Sequence, residues 1–127
     1  MVRVAAVSLL LLLLPSCQTM TVKAELAHDV YFELIDASPE KQRELIASCY
    51  ELLAPIDGVA FCAAGARDEE LVRDVNDRGF HVALHVYFTT RAAHDAYQDH
   101  PQHLAFLAAN KDNWQSVRVF DAKVDRR

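Results

Sequence analysis

The chain has 127 residues and a formal net charge of −5, enough for one small domain and no more. The acidic balance, with no basic stripe and no glycine-rich phosphate loop, excludes a nucleic-acid partner on electrostatic grounds. With only 3 glycines and 4 prolines the chain is neither disordered nor linker-rich.

Residues 1–16 read as a signal peptide. Arg3 supplies a positive charge, and Val4 to Leu14 is almost purely apolar, ending in six leucines, Leu9 to Leu14. That run is too short to span a bilayer and suits a signal h-region. Leu14-Pro15-Ser16-Cys17 then looks like a bacterial lipobox, with the lipid expected on the Cys17 thiol. The alternative is an ordinary secretory signal with an incidental cysteine; a cysteine at the end of an h-region favours lipidation. Gln18 follows, rather than the aspartate that would suggest inner-membrane retention. The expected location is therefore the bacterial cell envelope, on the periplasmic side of the outer membrane, with the lipid as the only membrane contact. Residues 17–25 read as the lipidated cysteine and a polar tether.

From residue 26 the pattern becomes regular. Leu26 to Ile35 alternates with period 2, placing His28, Val30, Phe32 and Leu34 on one side and Asp29, Tyr31 and Glu33 on the other, as a strand does. Ser38-Pro39-Glu40 is a helix start, and Leu45, Ile46, Cys49, Leu52 and Leu53 continue it as an apolar stripe. Pro55 and Gly58 end the helix. Val59 to Gly65 is a short apolar strand. Asp68 to Val75 has weak helical character, with Leu71, Val72 and Val75 on one face. Asn76 to Gly79 is a turn. Phe80 to Phe88 is a clear alternating strand. Thr89 or Thr90 caps a helix over Arg91 to Gln98, and Pro101 starts another that runs to about Lys111. Ser116 to Lys123 is the last strand. In an oxidising compartment Cys49 and Cys62 could bridge, but their apolar neighbours favour two buried free thiols.

Strand, helix, strand, strand, helix, strand is the split pattern of a ferredoxin-like α+β fold: a four-stranded antiparallel sheet with helices on one face. The other face then carries Asp29, Tyr31, Glu33, His81, His85, Tyr87, Arg118 and Phe120. This is too aromatic for plain solvent and too charged for a dry core. A symmetric copy is the simplest cover, so a homodimer is expected, with Arg118 paired to Glu33 or Asp29. His81 and His85 stand about 13 Å apart along one strand and cannot share one metal ion.

The densest chemistry is Tyr97-Gln-Asp-His100-Pro101-Gln-His103. Proline suits the first turn of a helix, so His100 would be the cap and His103 would lie in the first turn. His103, Leu104 and Leu107 would share an inward face. An inward histidine beside a tyrosine is either a packing residue with one satisfied hydrogen bond or a general acid/base, and the former is commoner.

Tyr97-x-x-His100-Pro101-x-His103 resembles the signature of the stress-responsive A/B barrel (Dabb) family. The histidine-led strand from His28, the Gly58-Val59 strand start, Phe80 to Phe88 and Val117 to Asp121 fall in that family's order, over residues 26–124. The resemblance implies a dimeric α+β barrel in which two sheets face each other. One plant member is a cofactor-free aldol cyclase in which a histidine and a tyrosine do acid/base work. By motif position that pair matches His103 and Tyr97, and a first-strand pocket histidine matches His28. A further pocket histidine of the third strand is replaced by Val82, which changes the substrate expected. Val30, Val82 and His100 complete the implied pocket.

Three function classes follow. The first is an envelope-anchored module that binds a small apolar molecule or acts in stress. The second is a cofactor-free acid/base enzyme, cyclase-like or monooxygenase-like, using His103 and Tyr97. The third is a haem or metal binder. No cofactor and no metal site is expected, because the local histidines His94, His100 and His103 fall on different helix faces.

Overall fold

The computed structural model describes residues 23–125. The expected signal peptide and Cys17 lie outside the described residues. The end of the expected tether belongs to the fold: Ala24 is buried, the Glu25 N–H donates to Phe88 O at 2.9 Å, and Glu25 O accepts from Val124 N–H at 2.9 Å.

The strands are β1 (Leu26–Leu34), β2 (Val59–Ala66), β3 (Val82–Phe88) and β4 (Trp114–Lys123). They form one antiparallel sheet in the order β2-β3-β1-β4. Three helices, α1 (Pro39–Ser48), α2 (Arg91–Gln98) and α3 (Pro101–Asn110), complete a ferredoxin-like α+β fold. β1 lies at the centre, paired with β3 on one side and β4 on the other.

Local chemistry sets the helix starts. The Ser38 hydroxyl accepts from Lys41 N–H at the head of α1, and Thr90 Oγ1 accepts from Ala93 N–H at 3.1 Å at the head of α2. At α3 the cap is His100, whose Nδ1 accepts from Gln102 N–H at 3.2 Å, with Pro101 in the first turn. Each cap satisfies a backbone donor that the helix leaves unpaired. Past Ser48, α1 widens into a π-helical turn, Cys49–Leu53, which buries Cys49 and Leu53. Gly58, at φ 91°, turns the chain from there into β2.

The core lies between the sheet and the helices. Val30, Phe32 and Leu34 of β1 and Val82, Leu84, Val86 and Phe88 of β3 meet Leu45, Cys49, Leu53, Tyr97 and Phe106. Each large side chain buried this way contributes roughly 1.5–3 kcal/mol. No helix among the described residues is long and apolar enough to cross a membrane.

Four local expectations are corrected. Asp68 to Val75 is not helical, and Leu71, Val72 and Val75 are exposed. A short amphipathic segment with no apolar surface to lie against does not repay helix nucleation. β3 begins at Val82 rather than Phe80, and β4 at Trp114 rather than Ser116. Arg118 pairs with neither Glu33 nor Asp29. It donates to Asp77 at 2.6 and 3.1 Å and to Gly79 O at 3.2 Å. Glu33 accepts from Ser116 Oγ at 2.8 Å and Asp29 is taken by His85 at 2.6 Å, so both neighbouring carboxylates already have partners.

Candidate functional site

A cavity of about 260 Å³ lies between the sheet and α3. Its wall is mostly apolar: Val30 and Phe32 from β1, Leu84 from β3, Phe106 and Leu107 from α3, and Trp114, Val117 and Val119 from β4. The polar groups in that wall are His28, Tyr97, Gln98 and His103. The trio singled out from the sequence thus meets in one place. Val82 and His100 do not line this cavity. Val82 is fully buried in the core, and the His100 imidazole is turned back to cap α3. Leu104 is also displaced from its expected inward position and is exposed. The helical repeat instead turns His103, Phe106 and Leu107 toward the sheet.

His103 and Tyr97 are in contact, with ring centroids 4.5 Å apart and planes inclined by 33°. His103 Nδ1 lies 3.0 Å from Gln98 O. A carbonyl oxygen only accepts, so Nδ1 carries the proton and the neutral ring keeps its lone pair at Nε2. Burial pushes the His103 pKa below its ordinary value, opposed by the Gln98 carbonyl and helped by nearby His28. The ring is neutral at physiological pH. Burial raises the Tyr97 pKa, so its phenol stays protonated.

His28 is buried. Its Nδ1 sits 2.6 Å from Asp121 Oδ1, directly across the β1–β4 pair, where the two residues are in register. Asp121 holds the His28 ring in place and, as a carboxylate, favours the Nδ1–H tautomer. His28 packs edge-on to Tyr97 at 6.2 Å and to His94 at 5.4 Å. Trp114 contributes one unmet donor: its buried indole N–H has no acceptor among the described residues. A group so placed costs about 1–3 kcal/mol.

The sequence matches the stress-responsive A/B barrel domain family over residues 26–124. The chain belongs to this family. No match was found among curated protein sequences. Solved structures place the Dabb domain among ferredoxin-like folds. A dimeric ferredoxin-like protein of unknown function from Thermobifida fusca is 23% identical, with a TM-score of 0.68 over 84% of this chain and 97% of that one. A Dabb family protein from Mesorhizobium loti is 22% identical, with a TM-score of 0.64 over 78% of this chain and 95% of that one. A hydroxynitrile lyase from Passiflora edulis is 18% identical, with a TM-score of 0.66 over 83% of this chain and 97% of that one.

In this Dabb domain, sequence reading passed over Asp121, and weighed His94 only as one of three local histidines on different helix faces. A signal for Asp121 existed. Val117, Val119 and Asp121 alternate on β4, so a carboxylate interrupts an apolar face. His94 carried no such mark. Its two local companions, His100 and His103, are engaged by α3 and by Gln98, while His94 turns toward β1.

A second hollow, of about 430 Å³, lies on the opposite sheet face between Asp29, Tyr31, Phe80, Arg118 and Phe120 and the 75–77 segment. Tyr31 packs edge-on to Phe80 at 5.0 Å and to Phe120 at 5.7 Å, and Phe120 is 54% exposed.

Proposed function

We propose that this Dabb protein binds a small, largely apolar molecule in the cavity between sheet and α3, with His28, Tyr97 and His103 as its polar contacts. The observation that carries this reading is an apolar wall into which three titratable rings converge. Its volume, below the roughly 300–1,000 Å³ of drug-sized sites, suits a small guest. Native mass spectrometry of the purified chain, and displacement of a small solvatochromic dye, test it. Binding should weaken at least tenfold on filling the cavity with Leu107→Trp. Equal binding by that variant would refute the reading.

A second reading is cofactor-free acid/base chemistry in the same cavity. It is favoured by the His28–Asp121 pair, which fixes the His28 ring through Nδ1, and by neutral His103 beside a protonated Tyr97. A histidine could take a proton from carbon α to a carbonyl while the phenol hydrogen-bonds the enolate oxygen. The likeness to a hydroxynitrile lyase agrees with a fold able to host proton transfer. Exchange of α-protons of small ketones into D₂O, lost in His28→Ala and His103→Ala, tests it.

The working form we propose is a homodimer through the aromatic and charged sheet face, held at the envelope by a lipid on Cys17. Dimeric ferredoxin-like neighbours and the exposed Phe120 support the first part; the Leu14 to Cys17 motif supports the second. Light scattering at micromolar concentration and labelled fatty-acid uptake by wild type and Cys17→Ala test them separately.

A further inference from the structure

We propose that His28, His94 and Asp121 form a binding site for a divalent late first-row transition-metal ion of the Zn²⁺ class. One ligand atom from each of the three lies within 4.8 Å of the others. Asp121 Oδ1 is 2.6 Å from His28 Nδ1 and 4.0 Å from His94 Nε2. Ligands bound at 2.0–2.1 Å in a tetrahedron stand about 3.4 Å apart. The two spacings to Asp121 bracket that value, and the half-exposed Asp121 carboxylate can make the adjustment.

The surroundings of His94 are those of a metal ligand. Its Nδ1 lies 3.0 Å from Asp95 Oδ1, so Nδ1 carries the proton. Gln98 Nε2, an amide donor, lies 3.2 Å from His94 Nε2. Both contacts place the lone pair on Nε2, the nitrogen nearer Asp121. A carboxylate that fixes the tautomer of a ligating histidine is a recurrent outer-shell device. The ring is held edge-on by Phe88 at 5.3 Å and by His28 at 5.4 Å. Arg91, a cation that senses Asp121, is itself engaged by Asp95 at 2.8 Å.

Two imidazoles and one carboxylate suit Zn²⁺, Co²⁺ or Fe²⁺ and leave a position open for water or an exogenous ligand. On binding, the ion takes the place of the Nδ1–H bond that His28 now makes to Asp121. The site shares His28 with the apolar cavity, whereas His94 and Asp121 stand outside that cavity's wall.

The test uses the purified chain stripped with a chelator and titrated with Co²⁺, read by visible absorption, then with Zn²⁺ against a chromophoric chelator. One ion per chain is expected, with d–d bands of a low-coordinate site and a rise in Tm that grows with Zn²⁺. His94→Ala and Asp121→Asn should each weaken binding at least tenfold. His85→Ala, which breaks a histidine–carboxylate pair on the other sheet face, should leave it unchanged. His94→Ala should still bind the cavity dye, so loss of one property without the other tells which reading fails. Absence of Co²⁺ bands at stoichiometric ion in the wild type overturns the proposal, whatever the variants do. Binding by both His94→Ala and Asp121→Asn as tight as wild type overturns it equally.

Discussion

The His103 imidazole lies against the Tyr97 ring, 4.5 Å between centroids, and its Nδ1–H is spent on the Gln98 carbonyl. Burial lowers the His103 pKa from 6.5. The unfolded chain therefore takes up the proton first as pH falls. The contribution of His103 to stability is fully present above about pH 6.5 and is lost as pH drops through its folded-state pKa. Melting temperatures at pH 7.5 and 5.5 should differ more in wild type than in His103→Gln. An NMR titration midpoint for His103 above 6.5 would contradict this.

Gly58→Ala should be strongly destabilising. Gly58 has φ 91°, and a Cβ built there would sit 2.5 Å from the Ala93 Cβ. The backbone strain and the overpacking are each worth about 1–3 kcal/mol. For a domain of this size that predicts a fall in Tm of at least about 8 °C. Gly58→Ala/Ala93→Gly should recover part of the loss, because it removes the clash but not the strain.

Cys49 should be chemically silent in the folded protein. It is fully buried, and burial, with a smaller push from nearby Cys62, raises its thiol pKa to about 12. Only the thiolate reacts. At pH 8 a maleimide should modify Cys49 no faster than the domain opens, which mass spectrometry of a timed reaction can follow. Modification at the rate of an unfolded control would show that the π-helical turn is open.

Arg118→Ala should loosen the segment between β2 and β3. The guanidinium is the main cause, with the Gly79 N–H second, of an Asp77 carboxyl pKa lowered to about 2. Without Arg118, Asp77 should titrate closer to 3.8. In wild type this pairing supports the fold above about pH 3.8 and is lost as pH falls toward 2. Hydrogen exchange of the Gly79 amide, which donates to Asp77 at 2.7 Å, should quicken in the variant. Unchanged exchange would mean the segment is held elsewhere.

The parts of this fold that the sequence made legible are those written in local periodicity or local caps. β1 and the inward half of β3 alternate, Ser38 and His100 stand before prolines, and Thr90 closes the turn into α2. The meeting of His28, Tyr97 and His103 was legible only through the family resemblance; periodicity by itself put His28 on the inward side of β1 and His103 on an inward helix face, and the fold brings them together with Tyr97.

What stayed hidden depends on register. His28 and Asp121 are 93 residues apart, and only the β1–β4 alignment brings them face to face. Arg118 likewise went to Asp77 because a loop, whose path no periodicity encodes, came over the sheet. The 68–75 segment has helical spacing but no surface to pack on, so tertiary context overrode the pattern.

β1 serves two faces at once. His28, Val30, Phe32 and Leu34 line the core and cavity side, while Asp29, Tyr31 and Glu33 bond or stack on the other. Both its edges are paired over most of its length. Gaining or losing one residue there would exchange the two faces outright. This strand can therefore drift by substitution, one position at a time, but insertions and deletions are closed to it. The 67–81 segment, hung on a few side-chain ties, is where descendants of this domain can change length.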